Sequence, residues 1–397
     1  MRGGWEIKKL GEICSFENGD RGKNYPSRAK FVSEGWCFVN AGHLEDKTIQ
    51  MHGMNYICKE TYNLLGGGKF SEGDLLFCLR GSLGKFAIVK ENQRGAIASS
   101  LIIVRPKQNV LNQYVGYFFN SELCQTMIKK YAGGAAQPNL AGKDLMKFEI
   151  PIPPIQEQHQ IVAILDQAFE AIDQAKANIE KNIANTKELF QSKLNNIFSQ
   201  KSDGWKEKKF SELFKLKSGD GLTAKNMCEG LYPVYGGNGI AGYHNNFNKN
   251  GKYLIIGRVG ALCGNVRFLD EKFWLTDNAF QISEMKVDFD YRFLTYLLNA
   301  KDLRSHARQA AQPVISNSSL KDVLISYPSN TTIQKEYSDT LTLLEHKIEE
   351  IENSYKMKIL ELNDLKKSIL QKAFAGELTN TAVLQQVAEP EARYSKK

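Results

Sequence analysis

Nothing in this chain of 397 residues spaces cysteines or histidines to hold a metal. Its seven cysteines include no CxxC pair, and its six histidines fall in no HxH or HxxxH spacing, so the usual zinc patterns are excluded. An odd, scattered set of thiols also argues against a disulfide framework and for a reducing compartment. No apolar run reaches the length of about 18 residues that a membrane-crossing helix needs. The opening "MRGGWEIKKL" lacks the apolar core of a secretory signal. The expectation is a cytoplasmic protein without membrane contact.

Motifs that carry chemistry are missing too. There is no GxxxxGK[ST] phosphate loop, since "GGGKF" at Gly66 has neither the spacing nor the hydroxyl. The Gly-x-Gly occurrences make no dinucleotide fingerprint. "NYPS" at Asn24 lacks the NPPY or DPPY pattern of amino-methyltransferases, which hold a flipped base. No acidic cluster with lysine suggests a nuclease, and "EDK" at Glu45 reads as a surface charge run. The expectation is a recognition device with no catalytic residue, metal or cofactor of its own.

What is present is ordinary folded composition, 42% hydrophobic and 24% charged, with an uneven distribution of charge. Residues 1–150 carry 20 Lys and Arg against 14 Asp and Glu, and residues 201–330 carry 18 against 13. Residues 155–200 and 331–380 are each slightly acidic, at −2. Two basic blocks alternating with two acidic segments suit a polyanion, because binding releases counterions from phosphates. A solvated lysine-rich surface would have the same charge.

The chain also repeats itself. "GWEIKKLGEICSFENGD" from Gly4 matches "GWKEKKFSELFKLKSGD" from Gly204, aligning Trp5 with Trp205 at an offset of 200. "LRGSLGK" from Leu79 resembles "GRVGALCGN" from Gly257, which pairs Arg80 with Arg258 at 178. "YFFNSE" at Tyr117 resembles "YLLNAK" at Tyr296, and "AAQP" occurs at both Ala135 and Ala310. "IQEQ" at Ile155 matches "IQKE" at Ile333, and "LFQSKLNNIF" ending at Phe198 matches "LKKSILQKAF" ending at Phe374. Six matches in one order make chance a poor explanation. The fall in offset from 200 to 178 places about 22 extra residues of the first copy between Asp20 and Arg80.

Each copy reads as a globular block followed by a long helix that opens after proline. The second helix has a heptad seam of Tyr337, Leu341, Leu344, Ile348, Ile351, Tyr355, Leu362, Leu365 and Ile369, with Lys358 and Lys372 at the remaining seam positions. The first carries Ile161, Leu165, Ala168, Ile172, Ala175 and Ile179, then stutters to Ile183, Phe190, Leu194 and Ile197. At 43–45 residues each helix is about 65 Å long and cannot bury its stripe alone. The simplest arrangement pairs them antiparallel, with one block at each end and a pseudo-twofold internal repeat. Packing of each helix on its own block, or between chains, is the other arrangement. The blocks mix strand-like runs such as "KYLIIGRVG" and "SLIIVRP" with helices such as "NQYVGYFFNSELCQTMIKKY". That is an α+β pattern. The expected domains are 1–154, a spacer helix at 155–200, 201–330, a second spacer helix at 331–378, and a flexible tail at 379–397. Glycine joins basic or amide residues in "NGDRGKN", "LRGSLGK", "YGGNGIAGYHNN" and "GRVGALCGN", where backbone could approach a ligand or simply turn.

The order of block, "AAQPNLAGKDLMKFEIPIPPIQEQHQIVAIL", long helix, second block and second helix ending "LKKSILQKAFAGEL" resembles the DNA-specificity subunit of type I restriction–modification systems. The likeness runs to about Leu378. The second copy departs at "YPSNTTIQKE", with one proline and no Glu-Gln pair. The resemblance implies two target recognition domains, each reading half of a bipartite sequence in double-stranded DNA. It implies spacer helices that set the gap and dock adenine methyltransferase subunits, and an association with ATP-dependent restriction and translocation subunits. S-adenosylmethionine, ATP and magnesium would belong to those partners.

Candidate DNA contacts follow from the matched loops. Arg80, Lys85 and Arg258 lie in the glycine loops, and Arg21, Lys23, Lys225 and Asn226 follow the Gly-Asp turns. Gln137 and Gln312 can both donate and accept toward an adenine edge, or fasten each domain to its helix. Tyr117 and Tyr296 read as core. Two other readings compete: a coiled-coil adaptor with duplicated ligand-binding domains and no DNA role, and a single-chain nuclease or methylase, which the missing motifs disfavour.

Overall fold

The structure is a computed structural model that describes residues 3–134, 138–199, 204–308 and 313–379. Contacts divide it into two units, residues 1–178 with 357–397, and residues 179–356. Each is a mixed helix and sheet body that takes in part of both long helices.

The same opening device starts both units. In the first, the strand Glu6–Lys9 runs into a one-turn helix, Leu10–Ile13, and then the strand Cys14–Asn18. Leu10 and Ile13 are buried, and the Glu12 carboxylate accepts the Lys9 backbone N–H at 3.2 Å, capping the turn. In the second, Trp205–Lys209, Phe210–Leu213 and Phe214–Ser218 repeat this, with Glu212 accepting from Lys209 at 3.1 Å. The first strand is closed in each case by the strand just before a long helix. Glu149–Ile152 pairs antiparallel with Glu6–Lys9, and Leu324–Pro328 with Trp205–Lys209.

The rest of the first unit holds a four-stranded antiparallel sheet in the order Phe86–Ile88, Leu75–Cys78, Leu101–Pro106, Cys14–Asn18. Its centre is an apolar run buried on both faces, "LIIV" at Leu101, which no alternating surface strand would show. A five-stranded sheet stands beside it, in the order Phe31–Val32, Tyr56–Ile57, Trp36–Val39, Gly95–Ile97, Lys69–Phe70, and four of these five strands come from the stretch in which the first copy is longer. The second unit has one six-stranded sheet, Phe214–Ser218, Ala279–Met285, Lys249–Gly257, Val266–Leu275, Tyr232–Gly236, Gly239–His244.

The long helices run over Ile155–Ser199 and Thr331–Ala375, 45 residues each and about 67 Å. Within each unit they lie antiparallel. In the first unit Asp173 pairs with Lys366 at 2.5 Å and Lys176 donates to Asn363 at 2.5 Å, so rising numbers on one helix meet falling numbers on the other. Ile161, Leu165 and Ile172 are buried in one core with Leu370, Ala373 and Phe374, and Ala168 and Ile369 pack against it. In the second unit Leu194, Ile197 and Leu341 form a small buried cluster. Ile179, Leu344, Ile348 and Leu362 are half-buried.

Two seam assignments need correction. Ile351 is 41% and Leu365 47% exposed, and the neighbouring Glu352 and Lys366 are the shielded residues instead. An α-helix drifts about 20° per heptad relative to an exact seven-residue repeat, and here the shielded row moves on by one position. The long stem of Lys366 covers apolar surface as well as a shorter apolar side chain would.

The register of the repeat is corrected as well. Helix ends correspond at an offset of 176, which aligns Gln158 with Gln334 rather than Ile155 with Ile333. Both glutamines are fully buried and do the same work. Gln158 accepts from the Leu111 N–H at 3.0 Å and donates to the carbonyls of Asn109 and Pro153. Gln334 accepts from the Asp290 N–H at 3.0 Å and donates to the Pro328 carbonyl. Leu111 and Asp290 are the residues that open the helices Asn112–Asn120 and Tyr291–Ala300. The "YPSNTTIQKE" departure is therefore one of spelling: the functional glutamine is present.

A second fastening recurs two to three turns further along each long helix. The Tyr117 hydroxyl donates to Asp166 on the first long helix, and the Tyr296 hydroxyl donates to Glu345 at 2.5 Å on the second. Burial and the adjacent carboxylate push both phenols up, Tyr296 to about 12. These tyrosines are latches between domain and helix, not simple core.

Candidate nucleic-acid interface

In the first unit Arg21, and the segment that leads into Arg80, meet at one turn, Ala98–Ser100. Gly19 packs so tightly there that an added Cβ would lie 2.6 Å from the Ala98 carbonyl oxygen. Arg21 Nη2 donates to the Ser99 carbonyl at 3.1 Å, and Leu79 N–H to the Ser100 carbonyl at 2.9 Å. Arg80, next in sequence, is exposed and its Nε donates to Asn139 Oδ1 at 2.9 Å. A guanidinium has five donors, so one such bond orients the fork without filling it. Lys23 and Lys85 are exposed.

The glycine run "LGGGK" beside this turn is not an anion cradle. Asp20 Oδ2 accepts the Gly66 N–H at 2.8 Å, and Glu17 Oε1 accepts the Gly68 N–H at 2.6 Å. The backbone hydrogen bonds from Gly66 and Gly22 hold the Asp20 carboxyl below its ordinary range. The protein's own carboxylates occupy the amides that a phosphate would need.

In the second unit the corresponding turn is Thr276–Asn278. A Cβ on Gly219 would stand 2.3 Å from the Leu275 carbonyl oxygen, and Asp220 N–H donates to that same carbonyl at 2.9 Å. Lys225 and Asn226 are exposed on a single 3-10 turn, Ala224–Asn226. A cleft of about 550 Å³ opens between this turn and two glycine-rich segments, with Asn238, Thr276 and Asn278 supplying polar groups to its wall. Its close packing demands glycine: a Cβ at Gly237 would come within 2.0 Å of the Val259 carbonyl oxygen. These three polar residues are the ones that residue-by-residue reading of the sequence missed. The glycine density of "YGGNGIAGYHNN" was a signal for Asn238 alone, and nothing in the sequence marked Thr276 or Asn278.

Arg258 is not the counterpart of Arg80. Leu140 N–H donates to Leu79 O, and Ile315 N–H donates to Arg258 O, so Arg258 corresponds to Leu79. The isolated bridges agree, Arg80 with Asn139 and Val259 with Val314. A slip of one residue in extended chain turns a side chain to the opposite face. Arg258 is accordingly half-buried, its guanidinium 5.2 Å from the Phe280 ring centroid and donating to the Asp277 carbonyl at 3.4 Å. It braces the turn, while Arg80 stands free of its domain's core.

Gln137 and Gln312 lie outside the described residues. The described backbone on either side is paired, Gly133 with Asn139 and Arg308 with Val314. Among the described residues no group of His, Cys, Asp and Glu could hold a metal ion, and no helix is long and apolar enough to cross a membrane.

Comparison with known proteins adds a family. The model of the type I restriction modification DNA specificity domain matches residues 2–185 and 202–361. The EcoprrI type I restriction enzyme specificity subunit of Escherichia coli is 27% identical over 286 residues, covering 66% of this chain and 69% of that protein. The MjaIX specificity subunit of Methanocaldococcus jannaschii is 23% identical over 355 residues, 78% of each. Among solved structures, a chain of a type I R-M system superposes with a TM-score of 0.79 at 18% identity, covering 95% of this chain and 99% of that one. The HsdS subunit from Thermoanaerobacter tengcongensis gives 0.62 at 18% identity over 95% and 98%. At that identity the structures establish a shared fold.

Proposed function

The chain belongs to the family of type I restriction modification DNA specificity domains, and from that premise we propose that each unit reads one half of a bipartite target in double-stranded DNA. The observation that carries this is a duplicated frame with unequal loops. Gln158 and Gln334, and Tyr117 and Tyr296, fasten the two units to their helices in the same way. The loop regions differ in length, in sheet content and in the residues they display. One scaffold with two different reading surfaces is what an asymmetric two-part target requires.

The long helices serve as the ruler and as the dock for partners. Exposed apolar side chains, Leu343 and Ile351 in the second unit and Met357, Leu360 and Leu365 in the first, are unusual on a helix facing only water and suit packing against helices of a methyltransferase subunit. The chain itself contributes recognition and no catalysis. S-adenosylmethionine would be bound by the methyltransferase subunits, and ATP and magnesium by a restriction and translocation subunit.

Two measurements test this. A genome-wide methylation map with the gene present and deleted should lose one bipartite adenine mark on deletion, and maps that do not differ would refute the assignment. In a duplex-binding titration, Arg80→Ala should weaken affinity and lower the slope of log affinity against log salt by about 1. Affinity and slope both equal to those of the parent would remove Arg80 from the interface. Arg258→Ala should change stability more than the salt slope, because its guanidinium is turned inward.

A further inference from the structure

The duplicated frame leaves a cleft at the same place in each unit, between the latch tyrosine's helix and the long helices. In the second unit it measures about 520 Å³ and is walled by Phe190, Leu194, Phe268 and Tyr296, with Arg267 and Arg292 against the acid Glu345. In the first it measures about 1070 Å³, and five lysines face it, Lys47, Lys85, Lys176, Lys366 and Lys367, against the acids Glu45, Asp46 and Asp173. Both clefts carry cationic side chains, but in the first they are all lysines and more of them are gathered.

Its deepest charge is Lys47. The ammonium sits 4.2 Å from the Tyr117 ring centroid and 5.3 Å from that of Phe169, while Lys366 approaches the same Phe169 ring at 4.9 Å. Lys366 has Asp173 at 2.5 Å, but among the described residues no ion pair joins Lys47 to a carboxylate. Burial, followed by the Lys366 charge, lowers the Lys47 pKa, and the Asp166 and Asp173 charges only partly oppose this.

The backbone that delivers Lys47 is strained as well. The strands Leu44–Glu45 and Thr48–Ile49 are joined by the two-residue turn Asp46–Lys47, with φ of 46° and 61°. Turns with both central residues at positive φ favour Asn-Gly, and a lysine there is a local misfit. The hairpin belongs to the stretch in which the first copy is longer than the second. Strain, desolvation and like-charge repulsion thus converge on one ammonium with no described carboxylate at ion-pair distance, and strain of this kind collects at ligand sites.

We propose that the first unit's cleft binds a phosphate group, with Lys47 at its centre and Lys85 and Lys366 beside it. The phosphate belongs either to a free phosphate-bearing ligand or to a duplex backbone. The cleft does not depend on the recognition reading, so the two fail separately.

The test uses the full chain and inorganic pyrophosphate, by calorimetry at constant ionic strength. Saturable binding is expected. Lys47→Gly relieves the turn but gives up the contacts with Tyr117 and Phe169, so its folding is checked by thermal denaturation alongside, and pyrophosphate binding should weaken by about tenfold or more. Lys47→Arg should retain most of the binding, and Lys366→Gln, at the lysine that approaches the same Phe169 ring, provides a second variant. A non-specific duplex titration then identifies the source. A salt slope that falls by about 1 in Lys47→Gly assigns the phosphate to DNA, and an unchanged slope with weakened pyrophosphate binding assigns it to a free ligand. If neither pyrophosphate affinity nor the duplex slope responds to Lys47→Gly and Lys366→Gln, the cleft is not a phosphate site.

Discussion

Gln158→Ala should destabilise the first unit by about 3 kcal/mol, a large share of the stability of a typical domain. The side chain is fully buried and makes three hydrogen bonds, one from the Leu111 N–H and two to the carbonyls of Asn109 and Pro153. Alanine leaves all three backbone groups without a partner where water does not reach, and each such group costs about 1–3 kcal/mol before relaxation. The three groups come from the loop before Asn112–Asn120 and from the step into the long helix. The substitution therefore loosens the joint between domain and spacer rather than the core of either. Gln334→Ala removes two bonds of the same kind and should cost less, about 2 kcal/mol. Urea denaturation followed by near-UV circular dichroism would measure both. A shift below about 1 kcal/mol for Gln158→Ala would mean that the joint is held chiefly by the apolar contacts around it.

Inserting one heptad into the first long helix should abolish methylation of the native motif or move it to a longer gap. Seven helical residues add about 10.5 Å, which corresponds to about three base pairs along a duplex. Three base pairs also turn the second half-site by about 100° around the duplex axis. A reading surface that must meet one groove therefore cannot tolerate the added length on the original target. The readout is the methylated motif found by sequencing in cells that carry the variant. A motif identical in sequence and gap to the parent's would show that the helices do not measure distance. The experiment is independent of the Gln158 substitution, because the heptad leaves both joints intact.

Much of this architecture was legible in the letters. The matches at Trp5 and Trp205, Tyr117 and Tyr296, and Phe198 and Phe374 exposed the duplication because the frame residues must keep the same contacts twice. Proline steps and heptads marked the helices because proline cannot lie within them and a buried stripe must be apolar. Placement to within one residue was not legible. "LRGSLGK" and "GRVGALCGN" align their arginines by eye, yet the backbone bridges align Arg80 with Val259. "IQEQ" and "IQKE" align by spelling at 178, yet the buried glutamines align at 176. Ile351 and Leu365 looked like seam, but Glu352 and Lys366 occupy it. In each case similarity of letters is indifferent to a one-residue slip, while a strand face or a helix stripe is not.

The sequence by itself determined that this protein is built twice, that each copy ends in a long helix, and that its loops are basic and rich in glycine. Those features depend on composition and period, which local chemistry imposes on any chain that must bury a stripe or make a tight turn. Only the tertiary structure decided which charged side chains remain available. Glu17 and Asp20 take up the amides of Gly66 and Gly68, Arg258 folds onto Phe280, Arg80 is steered by Asn139, and Lys47 is left in a cleft with no described carboxylate at ion-pair distance. A charge becomes a site or a brace according to which groups the fold brings within about 4 Å of it, and those groups lie tens of residues away in sequence.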